Sequence, residues 1–71
     1  MQLSARNQLR GKVKSIKRGA IMSEVVVTLD KGGDEVVAAI TLGSDDRLKL
    51  KEGSMVTVVI KATEVLLATE D

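Results

Sequence analysis

The stretch that decides the fold is IMSEVVVTLDKGGDEVVAAIT, which spans residues 21–41. Val, Ile and Thr crowd both of its ends, and their branched side chains favour extended backbone. Gly32 and Gly33 lie between the two ends and supply the positive φ angles that a tight turn demands. We therefore predict two strands, at residues 21–29 and 35–41, that pair as a hairpin around residues 30–33.

The segment before this hairpin predicts another strand, at residues 9–17. Leu9, Gly11 and Val13 point to one side of it, and the cationic residues between them face water. This alternation is typical of a strand with one face on a core.

The segment after the hairpin predicts a helical turn over residues 45–50. Ser44 is placed as its N-cap, and Leu48 and Leu50 are expected to dock it on the sheet. Two more strands follow, at residues 55–62 and 64–68. Five short strands with a helical turn between the third and the fourth indicate an all-β fold, a five-stranded OB-like Greek-key barrel, in a single domain over residues 1–71.

The composition excludes several classes of protein. The chain has 71 residues, 44% of them hydrophobic, and contains no Cys, His, Phe, Trp or Tyr. Without Cys and His it has neither disulfides nor the usual ligands of zinc, copper and iron. A domain of this length buries only about 60% of the surface of its unfolded chain, so we expect stabilisation by oligomerisation.

No apolar run approaches the roughly 18 residues of a membrane span, and residues 1–10 lack a signal peptide's apolar region. We expect a cytoplasmic protein that does not act on membranes.

Two of the predicted strands carry apolar side chains on both faces. Residues 25–27 are all Val, and residues 56–60 read Val-Thr-Val-Val-Ile. Because one face of an isolated small barrel meets water, these side chains indicate a subunit interface. The alternative is that Val26 and Val59 are ordinary solvent-exposed valines.

The segment Ser-Ala-Arg-Asn-Gln, at residues 4–8, concentrates hydrogen-bond donors. A hydroxyl, a guanidinium group and two amides together suit an anion with several oxygen atoms. The alternative is a solvated N-terminal tail.

Three further positions are candidates for the same chemistry. Lys61 lies at the end of the fourth predicted strand, and its alternative interpretation is an ordinary surface lysine. Thr41 closes the third predicted strand and is by itself an unremarkable β-former. Residues 17–20 form a basic turn that is equally consistent with simple solvation.

Taken together, these segments resemble the molybdate-binding Mop proteins, or molbindins. The likeness covers residues 2–69, and its motifs keep the family's order and spacing. They are residues 4–8, Gly11-Lys12-Val13, Ser15-Ile16, Ala39-Ile40-Thr41, residues 50–53 and residues 59–63. The Ser-Ala-Arg-Asn motif combined with the later Lys-Ala-Thr motif is specific, whereas either alone would be weak.

The resemblance implies an OB-like barrel that exchanges strands with a partner and assembles as a hexamer, a trimer of dimers. It also implies that molybdate or tungstate binds where subunits meet. The implied residues are Ser4, Ala5, Arg6 and Asn7 from one subunit and Thr41, Lys61, Ala62 and Thr63 from its neighbour. A second oxyanion position near the threefold axis would use Arg18, Gly19 and Ala20.

The residue types fit this ligand. Molybdate is a tetrahedral dianion with four acceptor oxygens, so its site should offer donors and no carboxylate. We therefore predict reversible binding for molybdenum storage rather than catalysis, because no serine has an evident base. One alternative is a nucleic-acid binder of the OB type, although the formal charge is only +1 and aromatic platforms are missing. Another is a structural oligomerisation module without oxyanion function.

Overall fold

The computed structural model describes residues 4–70. Its elements, in chain order, are β1 (Asn7–Arg18), β2 (Met22–Leu29), β3 (Glu35–Thr41), α1 (Leu42–Leu48), β4 (Met55–Ile60) and a 3-10 turn (Ala62–Glu64). The four strands form one antiparallel sheet in the order β3-β2-β1-β4. The prediction of an all-β fold with one short helix is confirmed. β1 is the organising strand, because it pairs with β2 on one side and with β4 on the other.

The hydrophobic core lies on the concave face of this curled sheet. A β-bulge between Val13 and Ser15 changes the phase of β1, so that Ile16 returns to the core side. The buried core residues are Val13, Val25 and Val27, and the partly buried side chains packed against them are Ile16, Ile40, Leu50, Val56 and Val58. Val26 lies on the opposite face and pairs with Val37 of β3.

Gly11 marks the place where β1 approaches its neighbours most closely. It pairs with Leu29 of β2 on one side and with Val56 of β4 on the other. A Cβ atom at this position would lie 2.6 Å from the carbonyl oxygen of Thr28. Glycine is therefore required here for the strands to approach, not for an unusual φ angle.

The predicted hairpin between β2 and β3 is confirmed. Gly32 and Gly33 adopt φ angles of 83° and 72°. The Leu29 N–H donates to the carbonyl oxygen of Asp34 at 2.7 Å and closes the turn.

The predicted bounds of the helix are wrong by three residues at its start. The helix begins at Leu42 and is capped by Thr41, whose Oγ1 accepts a hydrogen bond from the Ser44 N–H at 3.1 Å. A threonine, like a serine, can cap a helix by accepting a hydrogen bond from the backbone N–H two or three residues later. Thr41 lies at the end of β3, directly before the helix, and takes this role. The helix ends at Leu48 because Lys49 adopts a left-handed φ of 53°. Leu48 is consequently 65% exposed and does not dock the helix as predicted.

The fifth predicted strand, at residues 64–68, is not formed in the single chain. The strand before it ends at Ile60, and residues 65–70 carry no strand pairing. A strand needs a neighbour whose backbone groups are free to pair with it. Leu66 and Leu67 are 92% and 95% exposed.

An apolar cleft remains on the concave face between the two edge strands. Its volume is about 410 Å³, and it is lined by residues of β2, β3 and β4 together with Leu48 and Leu50. The sheet therefore curls as a barrel does but stays open between β3 and β4.

Candidate oxyanion-binding site

The β1–β4 pairing brings two of the predicted segments to one end of the sheet. Asn7 stands opposite Ile60, and its Nδ2 donates to the Ile60 carbonyl oxygen at 3.1 Å. Residues 4–6 precede this pair and residues 61–63 follow it. We call residues 4–7 and 61–63 the donor cluster.

Hydrogen bonds to two backbone carbonyl groups of the donor cluster hold it in place, and its polar side chains are exposed to solvent. Gln8 Nε2 donates to the carbonyl oxygen of Ala5 at 3.1 Å, and Ala5 is buried. The Glu64 N–H donates to the Lys61 carbonyl oxygen at 2.9 Å and forms the 3-10 turn. The exposed residues of the cluster are Ser4, Arg6, Lys61, Ala62 and Thr63. Two hydroxyls and two cations are thus available to a ligand at this end.

The cations of the donor cluster form no ion pair with any residue in the described range, 4–70. Over residues 4–70, the ion pairs are Lys14–Glu35 and Arg18–Asp45. Arg6 and Lys61 take part in neither, so their charges remain for a ligand. Two such charges match the charge of a dianion.

Thr41 lies at the opposite end of the sheet. It pairs with Met22 of β2, beside the end of β1 at Arg18, whereas the donor cluster adjoins Asn7. β1 has 12 residues, and a strand rises about 3.3 Å per residue, so its two ends are roughly 36 Å apart along the strand. One chain therefore does not bring Thr41 to the donor cluster. The structure also differs from the expected division of residues, since residues 61–63 adjoin residues 4–7 of the same chain.

Two side chains near Thr41 were not predicted as site residues. Ser44 Oγ lies 2.8 Å from Thr41 Oγ1, and an Arg47 guanidinium nitrogen donates to Ser44 Oγ at 3.1 Å. These three residues are spaced by three, the interval that places side chains on one face of a helical turn.

The turn predicted as a second oxyanion position is occupied by contacts within the chain. Arg18 Nε and a terminal guanidinium nitrogen donate to the two carboxylate oxygens of Asp45, at 2.8 and 3.1 Å. That nitrogen also donates to the Leu50 carbonyl oxygen at 3.0 Å. The Gly19 N–H donates to the Met22 carbonyl oxygen at 2.8 Å, and Ala20 is exposed. Two of the three predicted residues thus use their donors internally.

Asp45 is the centre of this internal network. It is 1% exposed and also accepts a hydrogen bond from Ser23 Oγ at 2.9 Å. The hydrogen bond from Arg18 lowers the pKa of the Asp45 carboxyl, helped by the Ser23 hydroxyl and opposed by burial. The carboxylate joins α1 to the β1–β2 turn.

The sequence and the fold correspond to a known family. The TOBE domain model matches residues 3–67. Molybdenum-pterin-binding protein 3 of Clostridium pasteurianum is 48% identical over 67 residues, which cover 94% of this chain and 97% of that protein. The chain belongs to the Mop proteins. Within this family, MopII of Clostridium pasteurianum superposes with a TM-score of 0.89 at 41% identity, covering 96% of this chain and 100% of MopII.

Two further similar structures are those of molybdate-binding proteins. A molybdate-binding protein of Sporomusa ovata has a TM-score of 0.87 and 42% identity, covering 97% of this chain and all of its own. The cytoplasmic molybdate-binding protein ModG, with molybdate bound, has a TM-score of 0.83 and 44% identity, covering 87% of this chain and 43% of its own. Within residues 4–70 of this Mop chain, no helix is long and apolar enough to cross a membrane.

Proposed function

We propose that this Mop protein binds molybdate or tungstate reversibly in the cytoplasm, as a store for molybdenum, and does not transform it. The observation that carries the proposal is the donor cluster, in which Arg6 and Lys61 make no ion pair with residues 4–70 and are exposed together with the hydroxyls of Ser4 and Thr63. Its close relatives bind molybdenum compounds according to their names.

The chemistry of the cluster favours a tetrahedral oxyanion. Charge-assisted hydrogen bonds from Arg6 and Lys61 are roughly twice as strong as neutral ones. The hydroxyls of Ser4 and Thr63, with the backbone N–H groups around Ala5, Asn7 and Ala62, offer the remaining donors. Some relatives are named for a molybdenum pterin, but this chain has no aromatic residue on which a pterin ring would stack. We therefore favour the free oxyanion.

The site is proposed to be shared between copies of the chain. Thr41 lies at the opposite end of the sheet from the donor cluster of its own chain, so it reaches an anion there only from another copy. Two such copies complete each other's sites, and we propose that three dimers form the hexamer that the family resemblance implies.

The C-terminal segment is the proposed means of exchange. Residues 65–67 (Val-Leu-Leu) are exposed in the single chain, and the apolar cleft lies open between β3 and β4. Seating this segment of one copy in the cleft of another would supply the fifth strand and close the barrel. Burial of each leucine would contribute about 1.5–3 kcal/mol.

We propose that the second oxyanion position, at Arg18, Gly19 and Ala20, binds the anion more weakly than the donor cluster does. The buried Asp45 carboxylate already occupies the Arg18 guanidinium and would repel a dianion close to it. The turns of three copies around a threefold axis would have to supply the remaining donors.

Titration calorimetry with sodium molybdate tests the main site. The Arg6→Ala variant should bind molybdate at least about tenfold more weakly, since it loses a charge-assisted bond. Arg10→Ala is the matched control, because Arg10 is an exposed arginine on β1 outside the cluster. Unchanged affinity of Arg6→Ala would overturn the site. Sulfate and a reduced pterin, titrated in parallel, would reveal a different ligand class.

A mixing experiment tests whether the site is shared. Arg6→Ala and Thr41→Val subunits each lack one half of the proposed site, and each alone should bind poorly. Refolded together in equal amounts, they should recover about a quarter of the wild-type sites, because in half of the dimers one of the two sites is intact. Recovery of no sites would show that each site belongs to a single chain.

A further inference from the structure

The Gln8 side chain ties the segment before β1 to the sheet. Its Nε2 donates to the Ala5 carbonyl oxygen at 3.1 Å in a partly buried hydrogen bond. Gln8 is fixed in the sheet because its backbone pairs with Val59 of β4, whereas Ala5 lies before the first residue of β1. The tie therefore extends the order of the sheet to the start of the donor cluster, although Gln8 itself lies outside that cluster.

Arg6 lies between two anchored residues. On one side, Ala5 is buried and held by Gln8. On the other side, Asn7 pairs with Ile60 and also donates to its carbonyl oxygen through Nδ2. Arg6 is exposed, so its backbone is held at both neighbours while its side chain stays accessible to a ligand.

The tie from Gln8 also sets the direction of one backbone donor. The Ala5 carbonyl and the Arg6 N–H belong to the same trans peptide group, so they point in opposite directions. A carbonyl oxygen repels an oxyanion, whereas a backbone N–H attracts it. The peptide group cannot rotate to exchange the two without breaking the hydrogen bond from Gln8. The Arg6 N–H therefore stays on the side away from Gln8.

We infer that Gln8 is a positioning residue for the oxyanion site, which fixes the backbone of residues 4–6 before the anion arrives by holding the Ala5 carbonyl. This inference rests on the proposed function, since it takes the donor cluster as the binding site. Gln8 does not touch the anion in this arrangement. A segment that is already ordered loses less conformational freedom on binding, so the tie raises the affinity without adding a contact.

Molybdate titration of a Gln8 variant tests the effect on affinity. Gln8→Met keeps the approximate length of the side chain and its lack of charge but removes the donor. It should weaken molybdate binding about two- to tenfold, the range for one hydrogen bond. Ser15→Ala is the control, because it removes an exposed polar group from the same strand outside the donor cluster, and it should bind molybdate as the wild type does. Unchanged affinity of Gln8→Met, or an equal loss in Ser15→Ala, would overturn the inference.

Nuclear magnetic resonance relaxation of the unliganded protein separates positioning from a general structural role. The backbone order parameter is about 0.85 in rigid segments and below about 0.6 in flexible ones. In Gln8→Met, the order parameter of the Arg6 N–H should fall, while that of Val26 in β2 stays as in the wild type. Addition of molybdate should restore it at Arg6. An unchanged value at Arg6, or an equal fall at Val26, would overturn the inference.

The Arg6→Ala variant distinguishes failure of this inference from failure of the proposed function. If Arg6→Ala weakens molybdate binding while Gln8→Met does not, the donor cluster stands as the site and the role of Gln8 is wrong. If Arg6→Ala binds molybdate like the wild type, the proposed site fails, and the inference fails with it.

Discussion

Replacing Gly11 by Ala should destabilise the protein through a backbone collision. The added Cβ would lie 2.6 Å from the Thr28 carbonyl oxygen, 2.7 Å from Val27 Cγ1 and 3.2 Å from Leu29 Cα. Two of these three atoms belong to the backbone of β2. That backbone cannot move aside easily, because β2 is also paired along its length with β3.

The size of the effect follows from two opposing contributions. Overpacking of this kind costs about 1–3 kcal/mol. The smaller entropy of the unfolded Ala chain returns about 0.4–1 kcal/mol. We therefore expect a net loss of about 1–2 kcal/mol in the free energy of unfolding, which for a domain of this size lowers the melting temperature by about 4–8 °C for each kcal/mol.

Gly43→Ala is the matched control, because it makes the same chemical change without the collision. Gly43 lies in α1, has no positive φ angle, and a Cβ there would meet no atom within 4 Å. In a helix this change should stabilise by roughly 0.5–1 kcal/mol. Urea unfolding is followed by circular dichroism, since the chain has no aromatic residue for fluorescence. All variants are compared at one subunit concentration. The reasoning is refuted if Gly11→Ala is as stable as the wild type.

Three further predictions concern charge and assembly. Because the Arg18 hydrogen bond lowers the pKa of Asp45 below 3.8, the native state binds fewer protons there than the unfolded state. Stability should therefore fall as the pH drops below about 4, and urea unfolding of Asp45→Asn should show a smaller fall over that range. Leu66→Glu with Leu67→Glu should leave the fold of each subunit intact but shift light scattering toward smaller species, and an unchanged hexamer would refute the exchange. Asn7→Asp should weaken molybdate binding by about tenfold or more in calorimetry, because a carboxylate repels a dianion, and equal affinity would argue against the donor cluster.

Local patterns predicted the strands but not the ends of the helix. Residues 25–27 and the pair Gly32-Gly33 act over a few positions, so the β2–β3 hairpin followed directly from residue types. The start of α1 depended on a choice between two capping residues, Thr41 and Ser44. Thr41 caps it because the end of β3 presents its hydroxyl to the Ser44 N–H, a geometry that residue types alone do not show.

The sequence proposed residues for the candidate site but not their spatial arrangement. The motifs at residues 4–7 and 61–63 are far apart in sequence, and the β1–β4 register is what brings them together. The registers of β1 with β2 and of β2 with β3 place Thr41 at the other end of the sheet. Register is set by contacts between distant segments, so no local pattern carried this information. The fifth strand was predicted from residue types but is not formed in the single chain, because residue types do not show whether a neighbouring strand is available for pairing.

The separation between the donor cluster and Thr41 has a thermodynamic consequence. If an anion needs Arg6 and Lys61 from one copy and Thr41 from another, it binds fully only to the assembled form. Molybdate then stabilises the oligomer by mass action, and the apparent affinity rises with subunit concentration until assembly is complete. A site contained within one chain would show no such dependence. In that case the length of β1, which holds Thr41 away from the donor cluster, would couple oxyanion binding to assembly.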